Sequence, residues 1–544
     1  MAETIRLGGR EIGKNHPTFI VAEIGINHNG DESLAFELIE AAAEAGADAV
    51  KFQKRDLPSL YRQDVLEHPE RFEQHFQYII PLLKEVELAD EVYPRLMEHC
   101  RRLGMEFLCT PFDLNSATFL YELGVNGFKI ASADLTNLPL LEHVAGFGLP
   151  VLLSTGMSYW EEIEQAVALL RARSTPFALL HCRSVYPVWP RDVNLKMISQ
   201  LERFDCPVGY SGHELGIVIP LAAASMGAAV IEKHLTLDKG MRGPDHKVSL
   251  LPFEFKRMVR DIRVADQAVG KSKRFLLRGE VINRELFAKS LVAACDLAPG
   301  TEIRREHVLV RGPGKGLAPN RLDELLGQRC RRLISKGDFF TEEDLGQERS
   351  RFDPGHELRG NWGLIARFAD ADHFLALSPK VIEFHLAEKD VQLEPRLKTS
   401  YSCSLIVHAP EYMGDRLNDL ASTDEALRGE SVAQVIRAAR LTLETLAPRF
   451  SGRPKLIVHP GAMSLNTKLD GKTLLSNLAR SLEEIRKATG DSIELLFENL
   501  PPYPWYFGGQ WKGNAFMDPE EISGFCRAHD LAICFDLSHA ALYC

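Results

Sequence analysis

At 544 residues, with 45% hydrophobic and 26% charged side chains, the chain has the composition of a soluble globular protein and is long enough for about three or four units, each with its own core. A formal net charge of -11 without a dense Lys/Arg run argues against a nucleic-acid backbone or an anionic membrane as partner, so any anionic ligand must meet locally placed cations. Ten cysteines without a CxxC pair, behind a start (MAETIRLGGREIG) that lacks the basic, apolar, small-residue order of a secretory signal, lead to the expectation of a reducing cytoplasm.

From residue 19 to about 268, short β-branched runs alternate with helix-patterned segments, the signature of repeated βα units and a parallel sheet. The expected strands are 19–25, 49–53, 106–112, 127–132, 150–156, 177–182, 208–213 and 230–235, the number that closes a TIM barrel. An open doubly wound sheet satisfies the same alternation. ESLAFELIEAAAEAG reads as a helix stopping at Gly46, a C-cap residue. The longest apolar stretch, Ile217 to Ile231, contains Pro220, Ser225 and Gly227, is too short to span a bilayer and reads as a buried helix.

The predicted organisation is a barrel over 1–270, a linker over 271–284, a small β-rich module over 285–350 and a second βα series over 360–544. In the module, DLAPG and ISKGD read as turns between short strands. Gly312–Gly316 is not a P-loop, because no GK[ST] opens a helix there. The second series has about six strands, at 363–367, 381–388, 404–410, 455–461, 493–501 and 531–540, and reads as a partial TIM-type barrel.

Reacting groups of a TIM barrel stand at the carboxyl ends of its strands. Here those ends carry Glu23, Lys51 with Gln53, Thr110, Lys129 with Ser132, Ser154 with Thr155, His181 with Ser184, Ser211 with His213, and His234. A single such residue is ordinarily a hydrogen-bonded core group. Eight strands ending this way point instead to a polar ligand, because buried polar groups cost free energy unless paired. Lys51 and Lys129, with the hydroxyls of Ser132, Ser154 and Ser184, suit a small substrate bearing phosphate and carboxylate, such as phosphoenolpyruvate. His213 and His234 can present two imidazoles to one divalent ion, Mn2+ or one of similar preference (Mg2+, Co2+), with hydrogen bonding as the other reading.

AEIGINHNG (22–30), VKFQ (50–53), TPFD (110–113), KIAS (129–132), STGM (154–157), HC.S.YP (181–187), GYSGHE (209–214), EKH (232–234) and GPDH (243–246), in order, resemble the sialic acid synthases and their legionaminic and pseudaminic relatives. The module at 285–348 resembles the antifreeze-like (SAF) domain of that family. The resemblance implies a metal-dependent condensation of phosphoenolpyruvate with an N-acetylmannosamine-type aldose. It assigns the metal to His213 and His234, and phosphoenolpyruvate to Lys51, Thr110, Lys129, Ser132, Ser154 and Ser184, with Phe112 and Ser211 also lining the substrate site. It further assigns Glu23 to the water or a sugar hydroxyl, and Gln53, Tyr186 and Asp245 to the sugar and the metal-bound water. Two positions depart from the family pattern. Asp134 stands where many members carry a sugar-contacting glutamate, and Arg311 lies one residue before the place of the arginine that reaches the partner subunit's site in the family's homodimer.

In the second series, His408, His459, Glu498, Asp536 and His539 stand at successive strand ends and are all metal-ligand types. The pattern resembles xylose isomerase-like barrels, which carry further ligands on two later strands. The expectation from this sequence is therefore an incomplete barrel without an activity of its own. Three other readings stay open: a pyruvate aldolase using Lys129 as a Schiff base, a metal-dependent isomerase or epimerase working in the second barrel, and a pure binding role for the module.

Overall fold

The computed structural model describes residues 4–270, 273–346 and 360–543, apart from 394, 396, 398, 399, 466, 507 and 508. The chain divides into two compact units, Met1–Lys273 and Arg274–Cys544.

The first unit opens with an antiparallel hairpin, β1 (Thr4–Leu7) and β2 (Arg10–Gly13). Eight parallel strands follow: β3 (Phe19–Gly25), β4 (Ala49–Lys54), β5 (Glu106–Pro111), β6 (Phe128–Ile130), β7 (Val151–Ser154), β8 (Phe177–Cys182), β9 (Val208–Gly212) and β10 (Val230–His234). Their order is β5-β4-β3-β10-β9-β8-β7-β6, and β5 packs against β6, so the sheet curls into a TIM barrel.

Strand periodicity explains what fills it. Val21, Ala49, Leu108, Leu152, Leu180 and Val230 form one buried apolar cluster with Ile5, Leu7 and Ile12, so the hairpin's side chains pack with the inward-facing lower layer. Two residues further along each strand, on the same face, stand Glu23, Lys51, Thr110, Ser154, Cys182 and Glu232. The interior thus changes from apolar to polar within one step of the pleat. The intervening residues, such as Ile20, Ala22, Val50 and Phe107, belong to the larger cluster shared with the helices. Helix Glu32–Ala45 is typical. Asp31 caps it by accepting from the Ser33 and Leu34 amides, Ala35, Leu38, Ile39 and Ala42 are buried, and Gly46 ends it in the left-handed region at φ 85°.

The apolar stretch 217–231 is not one buried helix. It holds helix Val218–Ser225, a turn with Gly227 at φ 97°, and the start of β10. Continuous hydrophobicity cannot separate a buried helix from a buried strand; the left-handed glycine does.

In the second unit, the expected linker carries the start of helix Arg278–Phe287, whose first turn is secured by Glu280 accepting from the Leu277 amide at 2.9 Å. The β-rich module contains the antiparallel pair β11 (Ser290–Ala293) and β12 (Val308–Arg311) around a core that includes Leu291, Ile303, Leu325 and Phe340. Its turns use left-handed glycines, Gly300 at φ 86° and Gly337 at φ 95°.

A six-stranded parallel sheet follows, in sequential order β13 (Gly363–Ala366), β14 (Val381–His385), β15 (Ser404–His408), β16 (Ser451–Val458), β17 (Glu494–Glu498) and β18 (Ala532–Cys534). Helices Glu425–Leu441 and Gly471–Thr489 contribute buried faces to its core. Among the described residues, no helix is long and apolar enough to cross a membrane.

Candidate functional site

At the carboxyl ends of the barrel strands lies a cavity of about 330 Å3. Helix Gln74–Val86, inserted between β4 and β5, contributes Ile79 and Leu83 to its wall. Register sets the polar lining: Glu23 of β3 is level with Lys51 of β4 and with His234 of β10, and Ser211 of β9 with Glu232 of β10.

Glu232 organises the charge. Its Oε1 lies 3.0 Å from Lys51 Nζ and 3.5 Å from Lys129 Nζ, and accepts from Ser211 Oγ at 2.9 Å. Burial works against ionisation of Glu232, but Lys129 and Lys51 overcome it and hold the carboxyl well below the usual carboxylate range. Lys51 also pairs with Glu23 Oε2 at 3.3 Å. Burial pushes Glu23 up to about 7 against the pull of Lys51. Lys129, donating to Ser154 Oγ at 2.8 Å, is lowered by burial to about 8, with Glu232 opposing the fall.

Next to the ammonium groups is a space shaped for small oxygens. Ser132 Oγ accepts from the Gly156 amide at 3.1 Å. A Cβ on Gly156 would sit 2.5 Å from Ser184 Oγ and 2.7 Å from Ser132 Oγ, so only glycine leaves both hydroxyls in place. Thr110 Oγ1 and Glu232 Oε2 are buried without a hydrogen-bond partner, which suits a ligand that completes them.

On the other side, the rings of His213 and His234 are 5.5 Å apart, and Tyr186 lies against His213 at 4.0 Å. His213 Nδ1 donates to the Arg183 carbonyl at 2.9 Å, which leaves Nε2 with its lone pair available. His234 Nδ1 is buried with no hydrogen-bond partner, 3.8 Å from Asp245 Oδ2. An unsatisfied imidazole nitrogen beside a carboxylate and a second imidazole is a donor set that fits a divalent cation.

The second unit has its own cavity, about 360 Å3, at the carboxyl ends of its strands. Glu498 at the end of β17 lies 3.3 Å from His408 Nε2, 3.6 Å from His459 Nε2 and 3.2 Å from His539 Nδ1. Three overlapping groups have ligand atoms spaced closely enough to hold an ion: His385, His408 and Glu411; His408, His459 and Glu498; Glu498, Asp536 and His539.

The sequence matches the NeuB family over residues 38–274, the SAF domain over 288–346 and the xylose isomerase-like TIM barrel over 375–544. It is 40% identical over 341 residues to the N,N'-diacetyllegionaminic acid synthase of Legionella pneumophila, covering 61% of this chain and 96% of that one. The chain belongs to the NeuB family. The human N-acetylneuraminate-9-phosphate synthase is 36% identical over 346 residues, covering 62% of this chain and 94% of its own. A spore coat polysaccharide biosynthesis protein E from Chromobacterium violaceum, 24% identical, shares the fold with a TM-score of 0.54 over 60% of this chain and 98% of its own.

In this NeuB-family chain, Lys51, Gln53, Thr110, Phe112, Lys129, Ser132, Ser154, Ser184, Tyr186, Ser211, His213, His234 and Asp245 line one cavity. Glu23 meets them through Lys51 and Gln53. Asp134 is not part of that lining. It lies in the helical turn Ser132–Asp134, and its Oδ1 accepts from Asn137 Nδ2 at 3.0 Å. Arg311 belongs to the second unit, exposed at the end of β12. His181 faces away from the cavity, with Nε2 donating to the Val193 carbonyl at 2.7 Å, because it is out of phase with Cys182, which does line the site.

Sequence reasoning missed Glu232, Arg55 and Cys182. The signal was there: Lys51, Gln53 and Arg55, like Glu232 and His234, are spaced by two along or just beyond one strand and so share a face. Arg55 donates to Gln53 Oε1, and its guanidinium lies 4.1 Å from the Phe112 ring. His385 and Glu411 were missed in the second unit, although VIEFH ends in a histidine as VH does in the next strand.

Proposed function

We propose that the N-terminal barrel joins phosphoenolpyruvate to an N-acetylated hexose of the N-acetylmannosamine type, giving a nine-carbon 2-keto-3-deoxy acid and inorganic phosphate. The observation that carries this reading is one cavity with two ammonium groups and three serine hydroxyls on one side and a two-imidazole, one-carboxylate donor set on the other. Relatives named as synthases of N,N'-diacetyllegionaminic acid and N-acetylneuraminate 9-phosphate support it.

Lys51 and Lys129 hold the carboxylate and phosphate of phosphoenolpyruvate, and Ser132, Ser154 and Ser184 donate to its oxygens. C3 of the enol attacks the aldehyde carbon, whose oxygen takes a proton from the protonated form of Glu23. Water then adds at C2 and gives a proton to Glu23, whose near-neutral pKa suits both acceptance and return. The C–O bond to phosphate breaks, leaving the ketone. Gln53, Tyr186 and Asp245 face the sugar, and His213, His234 and Asp245 are the residues that would hold a divalent cation. Mn2+, with Mg2+ or Co2+ as substitutes, supplies Lewis-acid polarisation of the aldehyde when bound there.

In the second unit, His408, His459, Glu498, Asp536 and His539 are proposed to hold a divalent cation. The assembly is proposed to be a homodimer in which the 285–350 module caps the partner's site through Arg311. The exposed Leu309 and Val310 beside it on β12 support an apolar contact there. The compartment is proposed to be the cytoplasm, which suits the free thiols of the described cysteines.

Purified protein supplied with phosphoenolpyruvate, Mn2+ and a panel of N-acetylmannosamine, 2,4-diacetamido sugars and their phosphates is expected to release phosphate and form a 2-keto acid in equal amounts. No phosphate release with any sugar would overturn the reading.

A further inference from the structure

On the side of the barrel strands that faces the helices lies a buried ion pair with no part in the proposed reaction. Lys233 of β10 stands two residues after Ile231 and so on the same outward face, where Ile231, Tyr210, Ile24 and Phe52 belong to the apolar cluster shared with the helices. Both Lys233 and Glu214, which lies just beyond β9, are fully buried. Lys233 Nζ is 2.9 Å from Glu214 Oε1 and also donates to the Glu214 carbonyl. Tyr210 donates its hydroxyl to Glu214 Oε2 at 2.5 Å. The carboxylate folds back over Gly212, where a Cβ would meet its two oxygens at 2.7 and 2.8 Å. Glycine at 212 therefore lets Glu214 reach both partners.

Burying two charges costs desolvation energy that their attraction does not fully recover, and an apolar pair of the same volume often packs at least as stably. Packing alone thus does not account for Lys233 and Glu214. Their chain neighbours do. Glu214 follows His213, and Lys233 precedes His234. In the pairing of β10 with β9, Lys233 is level with Gly212. One ion pair therefore ties the turn that carries the first imidazole to the strand that carries the second. Because Lys233 also holds the Glu214 carbonyl, it fixes main chain one residue from His213. The His213 ring is held from the other side, by its Nδ1 donating to the Arg183 carbonyl at 2.9 Å. The main chain of His234 is secured by its carbonyl accepting from the Leu250 amide at 2.8 Å.

We propose that Glu214 and Lys233 are positioning residues for the barrel cation: their ion pair holds His213 and His234, with ring centroids 5.5 Å apart, at the spacing at which both can bind one divalent ion. This rests on the cation reading of His213, His234 and Asp245 given above. Neither Glu214 nor Lys233 lines the cavity, so both act only through the imidazoles beside them.

The test uses the full chain carrying His408→Ala and His459→Ala, so that bound Mn2+ reports the barrel. Electron paramagnetic resonance of free Mn2+ gives the count and the affinity, and urea unfolding gives the stability. This parent is expected to bind one Mn2+, lost when His234→Ala is added. Glu214→Gln keeps the side chain's size and a hydrogen bond to Tyr210. It is expected to raise the Kd for Mn2+ by about 10- to 100-fold, the usual effect of altering a group that orients a metal ligand. The KM for phosphoenolpyruvate at saturating Mn2+ should stay within about twofold. Lys233→Met removes the ammonium and keeps the length. Combining it with Glu214→Gln leaves no unpaired buried charge, so the double variant should regain the unfolding midpoint that each single variant loses, but not the affinity for Mn2+. In the otherwise unsubstituted chain, Glu214→Gln should raise by the same factor the Mn2+ concentration that gives half-maximal phosphate release, a reading independent of the second unit. Unchanged Mn2+ affinity in Glu214→Gln, or affinity that returns together with stability in the double variant, overturns the inference. A parent that binds no Mn2+ overturns the cation reading and the inference with it, and the metal count tells the two failures apart.

Discussion

Lys51 Nζ lies 3.0 Å from Glu232 Oε1, and both side chains are buried at the mouth of the barrel. The same oxygen faces Lys129, so one carboxylate sets the spacing of two ammonium groups. Replacing it leaves Lys129 without its carboxylate and Lys51 with Glu23 alone. Glu232→Gln is therefore expected to lower unfolding stability by ~3–5 kcal/mol, the usual cost of breaking a buried pair from one side. It should also reduce kcat/KM for phosphoenolpyruvate by ~10- to 100-fold, as the lysines lose their fixed geometry. Urea denaturation and phosphate-release kinetics check the two effects separately.

His234 Nδ1 is buried and unpartnered beside Asp245. His234→Ala and His213→Ala are each expected to cut phosphate release by at least ~100-fold, because the cation loses half of its imidazole ligands. A chelator should silence the unsubstituted protein, and added Mn2+ should restore it but not the variants. Full activity in the chelated protein would remove the metal from the proposed reaction.

Lys129 carries a pKa lowered to about 8 by burial, against the pull of Glu232. A lowered lysine pKa means that the ammonium form is lost as pH rises through that value. The kcat/KM for phosphoenolpyruvate, which reports the free enzyme, is expected to fall about tenfold per pH unit above about 8. The KM for the sugar should be far less affected, and a Glu232→Gln variant should move the alkaline limb to lower pH.

Below that pH Lys129 is an ammonium 2.8 Å from Ser154 Oγ and 3.5 Å from Glu232, a state that holds anions and does not attack carbonyls. Borohydride reduction in the presence of pyruvate at pH 7 is expected to leave the protein mass unchanged. A stable adduct on Lys129 would favour the aldolase reading.

A methyl group on Gly156 would meet the Ser184 and Ser132 hydroxyls at 2.5 and 2.7 Å. Gly156→Ala is expected to raise the KM for phosphoenolpyruvate by about tenfold or more through displacement of these donors, while the KM for the sugar stays within about twofold. A parallel rise in both would show a general collapse of the cavity.

The chain's own pattern was enough for the eight parallel strands of the barrel, because each pairs a short apolar run with a polar residue at or near its carboxyl end, and for the helix stop at Gly46, because a left-handed terminus favours glycine. It was also enough to bring most of the residues proposed to hold the anion and the metal to one mouth, since parallel strands in register carry their ends to the same rim. It did not tell His181 from Cys182 or reveal that Glu232 ties Lys51 to Lys129. Which of two neighbouring residues faces inward depends on the phase of the pleat, and which carboxylate meets which ammonium depends on the stagger between strands far apart in sequence. The stacking of His385 on His408 was likewise decided by tertiary packing, because it follows from strand neighbours that no local spacing encodes.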